Sequence, residues 1–470
     1  MKTWTIIAAT TLALLTTQTS VYGWYPYGKR YQKWQETNGF MMAGVHNTLP
    51  ADHLPERLAH FKAAGLNTLF TMEPHNSLKW HQAAHAAGLQ WATEHPERFV
   101  SPNWKVTNPA SPLNGLQVNE MFARVLDMPG ATFIKAGDGP KTEEHLDNIA
   151  QFTKWVRAKF PDVLMLTCLS IEQLAASITD YDEDRYIAQT RPDVFAYFKY
   201  PLRIHDESPQ FLAQMRRGRD AAHRHRLPNW MYVQTWEQPP IRRDGTQRDA
   251  DGWLRLPDEA DVRYLLFTFL AHGGNGVMFY LYYGHDGTVM MEDTVADEAR
   301  DPADRHRLEN LVPTRAWHAV RDVAPEVQTL SRALLNLRTK NPIGYVGETI
   351  PDECSTFKGH DLLDSVVNLD NPGERLLITF FDDKAGEDYF MVVNLVHGLN
   401  MSKMDGSRMV RLTFDTDVEQ IERLNRLTGQ IETLQTKVEG ESRVLDVLLP
   451  GGTGDLFKWS NGNPWSLRPM

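Results

Sequence analysis

The sequence has 470 residues, which is too long for one small core and predicts a large domain accompanied by a smaller one. Hydrophobic residues make up 42% and charged residues 23% of the chain, an ordinary globular composition that excludes a disordered or fibrous protein. The 60 acidic residues outnumber the 49 basic ones, and the net charge is -11. Because nucleic-acid binding needs a positive surface, we expect no nucleic-acid partner.

The N-terminus has the pattern of a signal peptide. Lys2 precedes an apolar run from Trp4 to Leu15, and Gly23 ends a segment suited to cleavage. The run is too short to span a bilayer, so the pattern predicts a secreted or periplasmic protein without a stable membrane anchor. A buried N-terminal helix is the alternative. Export permits disulfides, but Cys168 lies in an apolar, strand-like run, where a free buried thiol is expected.

Strand and helix patterns alternate along the first two thirds of the chain. Short apolar runs predict strands at 40–45, 68–72, 90–93, 131–136, 163–169, 194–200, 230–235 and 277–283. Amphipathic stretches predict helices at 53–64, 79–87, 143–159, 209–224 and 259–271. Eight alternating units predict a (β/α)8 TIM barrel over residues 24–337. A doubly wound sheet is the alternative, but the first strand is not followed by the Gly-x-Gly-x-x-Gly of a dinucleotide site.

The pattern changes after about residue 337. Apolar runs at 361–369, 375–381, 388–396, 408–414 and 444–449 are typical of strands, and turn sequences such as Asn371-Pro372-Gly373 join them. Segments with helical periodicity are scarce. We therefore predict a C-terminal antiparallel β-sandwich over residues 338–470, packed on the barrel. A sugar-binding role for this domain is a weaker alternative to a purely structural one.

Chemically active residue types follow several of the predicted strands. In a (β/α)8 barrel the active site lies at the C-terminal ends of the strands. The residues at or just beyond those ends are His46, Asn47, Glu73, His75, Glu94, Asp138, Tyr200, Trp236, Glu237, His285 and Asp286. Any one of them is more typical of a solvated loop or a helix cap. Their convergence from several strands predicts a site.

Glycoside hydrolysis is the chemistry that fits this set. It requires two carboxyl groups, of which one donates a proton to the leaving oxygen and the other attacks or activates water. Strands four and seven lie almost opposite in an eight-stranded ring, so Asp138 and Glu237 can face each other across a sugar. We expect Glu237 to be the nucleophile or base and Asp138 the proton donor. Glu94 and Glu73 are reserve candidates.

Other residues of the same rim are expected to bind a carbohydrate substrate. Aromatic faces suit pyranose rings, and polar side chains suit hydroxyl groups. The substrate-binding candidates are His46, Asn47, His75, Tyr200, Trp236, Trp253, His285 and Asp286. Trp253 lies in a charged insertion, 241–257, which is either a surface loop or a flap over the site. The site requires no cofactor, and the sequence does not determine the oligomeric state.

A metal site is an alternative that the histidines leave open. His46 and His75 could ligate a metal together with Glu73. His81 and His85 are four residues apart on a predicted helix, but the His-Glu-x-x-His pattern is absent, so we expect a solvated helix face there. The candidates therefore include a metal-dependent hydrolase or lyase beside the glycosidase.

Motifs along the barrel resemble a known group of proteins. Asp138-Gly139-Pro140 is followed by the helix 143–159 and then by Arg191-Pro192-Asp193-Val194, which leads to Tyr200-Pro201. Residues 267–283 are also similar. The chain thus resembles glycoside hydrolase-type (β/α)8 barrels of the large retaining clan, in particular a secreted bacterial group, over roughly residues 36–337. The resemblance implies a TIM barrel and a glycosidase activity.

The fourth-strand motif departs from that group. Its members commonly have Asp-Glu-Pro, in which the Glu is the acid/base candidate, but Gly139 occupies that position here. Asp138 can take over the proton transfer, or Glu73 or Glu94 can supply it. The remaining alternative is a non-catalytic barrel that binds sugar.

Overall fold

The computed structural model describes residues 27–46, 53–72, 78–95, 123–140, 142–171, 182–204, 206–238, 253–283, 287–293 and 311–468. Several predictions concern residues outside these ranges. They are the signal peptide, most of the insertion 241–257, and Asn47, Glu73, His75, His285 and Asp286.

Eight parallel strands close into a barrel in chain order, which confirms the predicted fold. The strands are β1 (Met41–His46), β2 (Thr68–Thr71), β3 (Gln90–His95), β4 (Ala131–Asp138), β5 (Leu164–Ser170), β6 (Phe195–Phe198), β7 (Asn229–Gln234) and β8 (Gly274–Tyr283). β9 (Met291–Asp293) and β10 (Leu311–Pro313) form a separate antiparallel pair.

Helices accompany the strands of the barrel. They are α1 (Lys29–Asn38), α2 (Leu54–Ala63), α3 (Leu78–Ala86), α4 (Glu143–Lys159), α5 (Glu183–Thr190), α6 (Phe211–Arg224), α7 (Glu259–Ala271) and α8 (Arg315–Leu334). Among the described helices, none has both the length and the apolar character that a membrane crossing requires.

The strands are buried on both faces, and this explains their almost continuous apolar sequences. Successive residues of a strand point to opposite sides. In β4, Phe133 belongs to the core inside the barrel, whereas Ile134 belongs to the core between the barrel and its helices. The same alternation separates Leu164 from Met165 in β5. The two cores together fix which side chains enter the barrel.

Helix α1 closes the N-terminal end of the barrel, a feature that the sequence pattern did not predict. Tyr31 and Trp34 join the core inside the barrel, and the Trp34 ring centroid lies 5.4 Å from that of Trp230. The Trp34 Nε1–H donates a hydrogen bond of 3.0 Å to the carbonyl of Thr132 at the start of β4. These rings fill the N-terminal end of the barrel interior.

The C-terminal domain is the predicted β-sandwich. One sheet has the order β13-β12-β15-β16-β22-β18-β19, with β11 paired to β15, and the other has the order β14-β17-β21-β20. The strands are β11 (Arg338–Thr339), β12 (Gly344–Val346), β13 (Ser355–Thr356), β14 (Leu363–Asn368), β15 (Leu376–Asp382), β16 (Asp388–Asn394), β17 (Arg408–Phe414), β18 (Gln420–Leu424), β19 (Ile431–Gln435), β20 (Lys437–Glu439), β21 (Ser442–Leu449) and β22 (Gly454–Trp459).

The larger sheet packs on the barrel with one face and on the smaller sheet with the other. In β16, Phe390 and Val392 belong to the core between the sheets, whereas Met391 and Val393 belong to the core shared with the barrel helices. Charges reinforce this contact. Arg263 of α7 is 1% exposed and donates to both carboxylate oxygens of Glu326 on α8, at 3.0 and 2.6 Å. Arg426 of the sandwich donates a further 2.8 Å hydrogen bond to Glu326 Oε2, so buried charges of both domains are paired at the contact.

A second charged cluster lies at the same domain junction. We call His397, Glu207, Asp261 and Tyr264 the junction cluster. The His397 ring stacks on Tyr264 at 3.9 Å, and its Nδ1 lies 2.8 Å from Asp261 Oδ1. Its Nε2 lies 3.6 Å from Glu207 Oε2, which also accepts a 2.9 Å hydrogen bond from Arg375. The cluster joins the barrel loop at Glu207 and helix α7 to the sandwich.

Opposing effects set the protonation of the junction cluster. Burial alone would favour a neutral imidazole, but hydrogen bonds to Asp261 and Glu207 raise the pKa of His397 above its ordinary value. Burial opposes the ionised form of Glu207 as well, yet His397 and Arg375 lower the pKa of Glu207 to about 2. A charged imidazole therefore lies between ionised carboxylates.

We expect the stability of the protein to fall as pH rises through the raised pKa of His397. A histidine of the unfolded chain titrates near about 6.5, so the stabilisation is complete below that pH and is lost above the folded-state pKa. The contribution of Glu207 has the opposite sign: it is complete above about pH 4.5 and is lost as pH falls towards 2. Urea unfolding midpoints between about pH 5 and 9 measure the first effect.

His397→Gln should flatten this alkaline slope. His318→Gln, on the exposed side of α8, is the matched control and should keep it. Equal slopes in the wild type and in His397→Gln would contradict the assignment.

Candidate active site

A buried ion pair forms the floor of the barrel mouth. Glu94 of β3 and Lys135 of β4 are partners in the strand register, and both occupy inward-facing positions. Lys135 Nζ lies 3.0 Å from Glu94 Oε1, and the side chains are 3% and 10% exposed, respectively. The Nζ atom also lies 5.8 Å from the centroid of the Tyr232 ring. Sequence reasoning found Glu94 but missed Lys135, although the inward direction of Phe133 two residues earlier predicts it.

Aromatic side chains line the mouth on the side of β6, β7 and β8. We call Phe198, Tyr200, Tyr232, Trp236 and Tyr280 the aromatic wall. Tyr200 stacks on Tyr280 at 5.6 Å, and Trp236 meets Tyr280 edge-on at 5.2 Å. All of them except Tyr232 are partly exposed. The wall therefore places partly exposed rings at the C-terminal end of the barrel.

Sequence reasoning found only part of this wall. Tyr200 and Trp236 were predicted, whereas Phe198, Tyr232 and Tyr280 were missed. Phe198 lies two positions before Tyr200, and Tyr232 lies four positions before Trp236, so the two-residue alternation could have found Phe198 and Tyr232.

Glu237 directly follows the wall and has a fixed backbone. Its N–H donates a 2.8 Å hydrogen bond to the carbonyl of Thr288, and its side chain is partly exposed. Gly287 packs against it: a Cβ atom built on Gly287 would lie 1.9 Å from the Glu237 carbonyl oxygen. Gly287 has a φ of +96°, which favours glycine. The segment after β8 thus holds Glu237 at the rim.

Asp138 ends β4 beside the floor. Its backbone pairs with Cys168 of β5 after a register shift that begins at Lys135. The Asp138 side chain lies outside the described part of the structure. Gly139 has a φ of +54°, a left-handed conformation that costs other residues about 1 kcal/mol. This backbone provides a local reason for a glycine where the resembled group has Glu.

His46 faces away from the barrel interior. Val45 points inward, so His46 points to the helix layer, where it is 1% exposed. Its ring lies 4.6 Å from that of Trp80 and 6.0 Å from that of Tyr283. The structure does not bring His46 together with the aromatic wall.

Trp253 is the first described residue of the insertion 241–257. It is partly exposed, and its carbonyl accepts a 3.2 Å hydrogen bond from the N–H of Ile204, which follows β6. The following residue, Leu254, accepts a 2.9 Å hydrogen bond from the N–H of Gln238. Trp253 therefore lies at the rim, between the segments that follow β6 and β7. The other predicted rim residues lie outside the described ranges.

His81 is a core residue, so the predicted solvated position was wrong. Its ring stacks on Trp91 at 4.0 Å, and its Nε2 lies 2.9 Å from Thr71 Oγ1. Burial lowers the pKa of His81 to about 3. Within the described ranges, no three or more His, Cys, Asp or Glu side chains are grouped to hold a metal ion. Cys168 is buried, and neither Cys168 nor Cys354 forms a disulfide.

Comparisons with known proteins give structural neighbours only. No protein-family model and no curated protein matches the sequence. A β-L-arabinopyranosidase of glycoside hydrolase family 27 from Geobacillus stearothermophilus aligns with a TM-score of 0.46 and 11% identity, over 92% of this chain and 99% of that one. A family 99 endo-α-mannosidase from Bacteroides thetaiotaomicron aligns with a TM-score of 0.37 and 12% identity, over 60% and 80% of the chains.

A further neighbour is a family 2 β-galacturonidase from Eisenbergiella tayi, with a TM-score of 0.37 and 14% identity, over 61% of this chain and 51% of that one. These neighbours are glycoside hydrolases of several families. At such low similarity they assign no activity, so the proposal below depends on the residues of the site.

We expect Glu94 and Lys135 to be strongly coupled. Removing one partner leaves a buried charge uncompensated, so Glu94→Gln or Lys135→Met alone should cost about 3–5 kcal/mol of unfolding free energy. The double variant should recover much of that loss, which a double-mutant cycle in urea measures. The exposed pair Lys33 and Asp162 is the control, with Lys33→Met and Asp162→Asn expected to couple by less than about 1 kcal/mol. Additive effects at Glu94 and Lys135 would contradict the expectation.

Proposed function

We propose that the protein is an exported glycoside hydrolase that cleaves O-glycosidic bonds of an oligo- or polysaccharide. The observation that carries the proposal is the aromatic wall, which lies directly beside Glu237 at the C-terminal end of the barrel, opposite α1. Sugars bind through apolar ring faces and hydroxyl groups, and a partly exposed wall next to carboxylates suits both. Export rests on the predicted signal peptide.

Glu237 is the proposed nucleophile or base. It is partly exposed, follows Trp236 directly, and is held by Thr288 and Gly287. A carboxylate with this access can approach the anomeric carbon of a sugar that stacks on Trp236. Asp138 at the end of β4 is the proposed proton donor, three strands away around the ring.

Glu94 has a different proposed role. The ammonium group of Lys135 favours a charged carboxylate beside it, and a proton donor must be neutral before it acts. Glu94 therefore fits an anion that orients Lys135 at the floor better than it fits the acid of the reaction. This leaves Asp138 and Glu237 as the reacting pair.

A non-catalytic sugar-binding barrel is the second candidate function. The resemblance implies an acid/base Glu at position 139, and its replacement by Gly139 favours this candidate. The left-handed backbone of Gly139 is consistent with that replacement. Sugar binding without turnover of any member of a broad glycan panel by the wild type would establish this alternative.

Glu237→Gln should abolish turnover while it preserves the fold. The substitution keeps the side-chain size but removes the group that attacks the sugar or activates water, and we expect at least about a 100-fold loss. Release of reducing ends from a glycan panel measures the rate. Glu292→Gln, an exposed carboxylate of β9, is the control and should keep wild-type activity. Full activity of Glu237→Gln would exclude the proposed role.

Gly287→Ala should lower turnover by displacing Glu237. The new methyl group would overlap the Glu237 carbonyl, so the segment must move. Gly386→Ala is the matched control, because Gly386 also has a positive φ of +82° but no atom within 4 Å of its Cβ position. Both variants should lose about 1 kcal/mol of stability or more from backbone strain. Only Gly287→Ala should lose activity, and equal activities would show that the position of Glu237 does not matter.

A further inference from the structure

A basic cavity lies at the end of the barrel opposite the candidate active site. It has a volume of about 650 Å³. Its walls come from the start of α1, the end of α4, the residues before β6 and the residues before β7. These elements all meet at the N-terminal face of the barrel, where α1 closes the interior. The cavity is therefore separate from the mouth.

The charges of this cavity contrast with the acidic chain. Its cationic lining residues are Lys29, Arg30, Arg157 and Arg226, and Asp193 is its one carboxylate. His225 also lines it, with Nε2 2.7 Å from Asp184. Although the whole protein has a net charge of -11, Lys29, Arg30 and Arg157 beside Asp193 form a local positive potential, with Asp162 the further carboxylate that acts on Arg30.

Asp193 is already saturated by its neighbours. It is 3% exposed, and Arg157 donates to its Oδ1 from Nε and Nη2, at 2.9 and 2.6 Å. Its Oδ2 accepts a 2.9 Å hydrogen bond from the N–H of Met165 and lies 3.3 Å from Arg30 Nε. The carboxylate of Asp193 thus pairs with two guanidinium groups and accepts a backbone hydrogen bond. Its single negative charge does not balance the two positive charges of Arg30 and Arg157.

Donor groups in the cavity remain available. Arg30 uses Nη2 for the carbonyls of Phe160 and Val163, and Arg157 uses Nε and Nη2, so the Nη1 groups of both are without a hydrogen-bond acceptor among the described residues. Lys29 is exposed and likewise has no ion-pair partner within the described ranges. Burial and the charge of Arg157 lower the pKa of Arg30, although Asp193 acts in the opposite direction. The cations of the cavity therefore lie close together.

The backbone of α1 adds to the same potential. No side chain caps its N-terminus at Gly28, and its first turn contains no acidic residue. Helices normally place acidic groups there, because the first N–H groups lack partners and carry partial positive charge. Here Lys29 and Arg30 occupy the turn instead, which leaves the position without a compensating negative charge.

We propose that this cavity binds a tetrahedral oxyanion, a phosphate or a sulfate group, carried by a free ion or by a monoester. Guanidinium forks and an ammonium group are the donors that such anions prefer, and a helix N-terminus adds further N–H groups. The site does not depend on the proposed glycosidase activity, because the barrel separates it from the mouth.

Isothermal titration of the full-length mature protein at low ionic strength tests the proposal. The probes are inorganic phosphate, inorganic sulfate, glucose 1-phosphate and glucose 6-sulfate. We expect saturable binding of at least one of them at a single site, and the preference between free ions and esters identifies the source of the anion. Lys29→Glu should weaken that binding by about 10-fold or more, because it reverses a charge at the cavity without removing a buried contact.

Lys358→Glu is the matched control. Lys358 is an exposed residue of the sandwich, outside the cavity, and its substitution changes the net charge by the same amount. This variant should bind the probes as the wild type does. The absence of saturable binding for every probe, or equal losses in the two variants, would overturn the proposal.

Discussion

Alternation of side chains along eight parallel strands is the constraint on which the rest of this structure depends. Closure of the sheet leaves a narrow interior that inward-facing residues must fill. The lower interior is filled by rings such as Phe133 and Trp230, together with Trp34 from α1. Higher in the same strands the inward positions carry Glu94, Lys135 and the aromatic wall. The boundary between packed core and chemical site is therefore a change of residue type along the strands, with no change of fold.

Lys135 and Glu94 mark that boundary. Charges at this depth are unfavourable unless they are paired, and the parallel register of β3 and β4 provides the pairing by placing the two residues side by side. The ammonium group also lies over the ring of Tyr232, which favours its positive charge. In the proposed reaction, a buried floor of this kind would place the polar groups above it in a surrounding of lower polarity than water.

The sequence patterns of strands and of amphipathic helices made much of the fold predictable. The site was harder to predict, because its residues lie at the ends of the strands. The strands and most helices were predictable because buried parallel strands are continuous apolar runs and because glycine follows the first helices. The directions in which some of the rim side chains point were not predictable. The β1–β8 register shifts between Gly44 and His46, and the β4–β5 register shifts between Lys135 and Asp138. Regular alternation thus fails at His46 and Asp138, although it holds at Lys135, while α1 offered too few apolar residues to reveal its role.

A chain of hydrogen bonds connects the sandwich to the rim of the barrel. Gln234 at the end of β7 accepts the N–H of Leu202 and donates to the carbonyls of Leu202 and Arg255, at 2.8–3.0 Å. Arg255 also pairs with Asp261 of the junction cluster, where His397 of the sandwich binds. Two rim segments, after β6 and after β7, are therefore tied to each other and to the second domain. Since Tyr200 and Trp236 lie close to these segments in the sequence, the aromatic wall is connected to the sandwich through Gln234, Arg255 and Asp261.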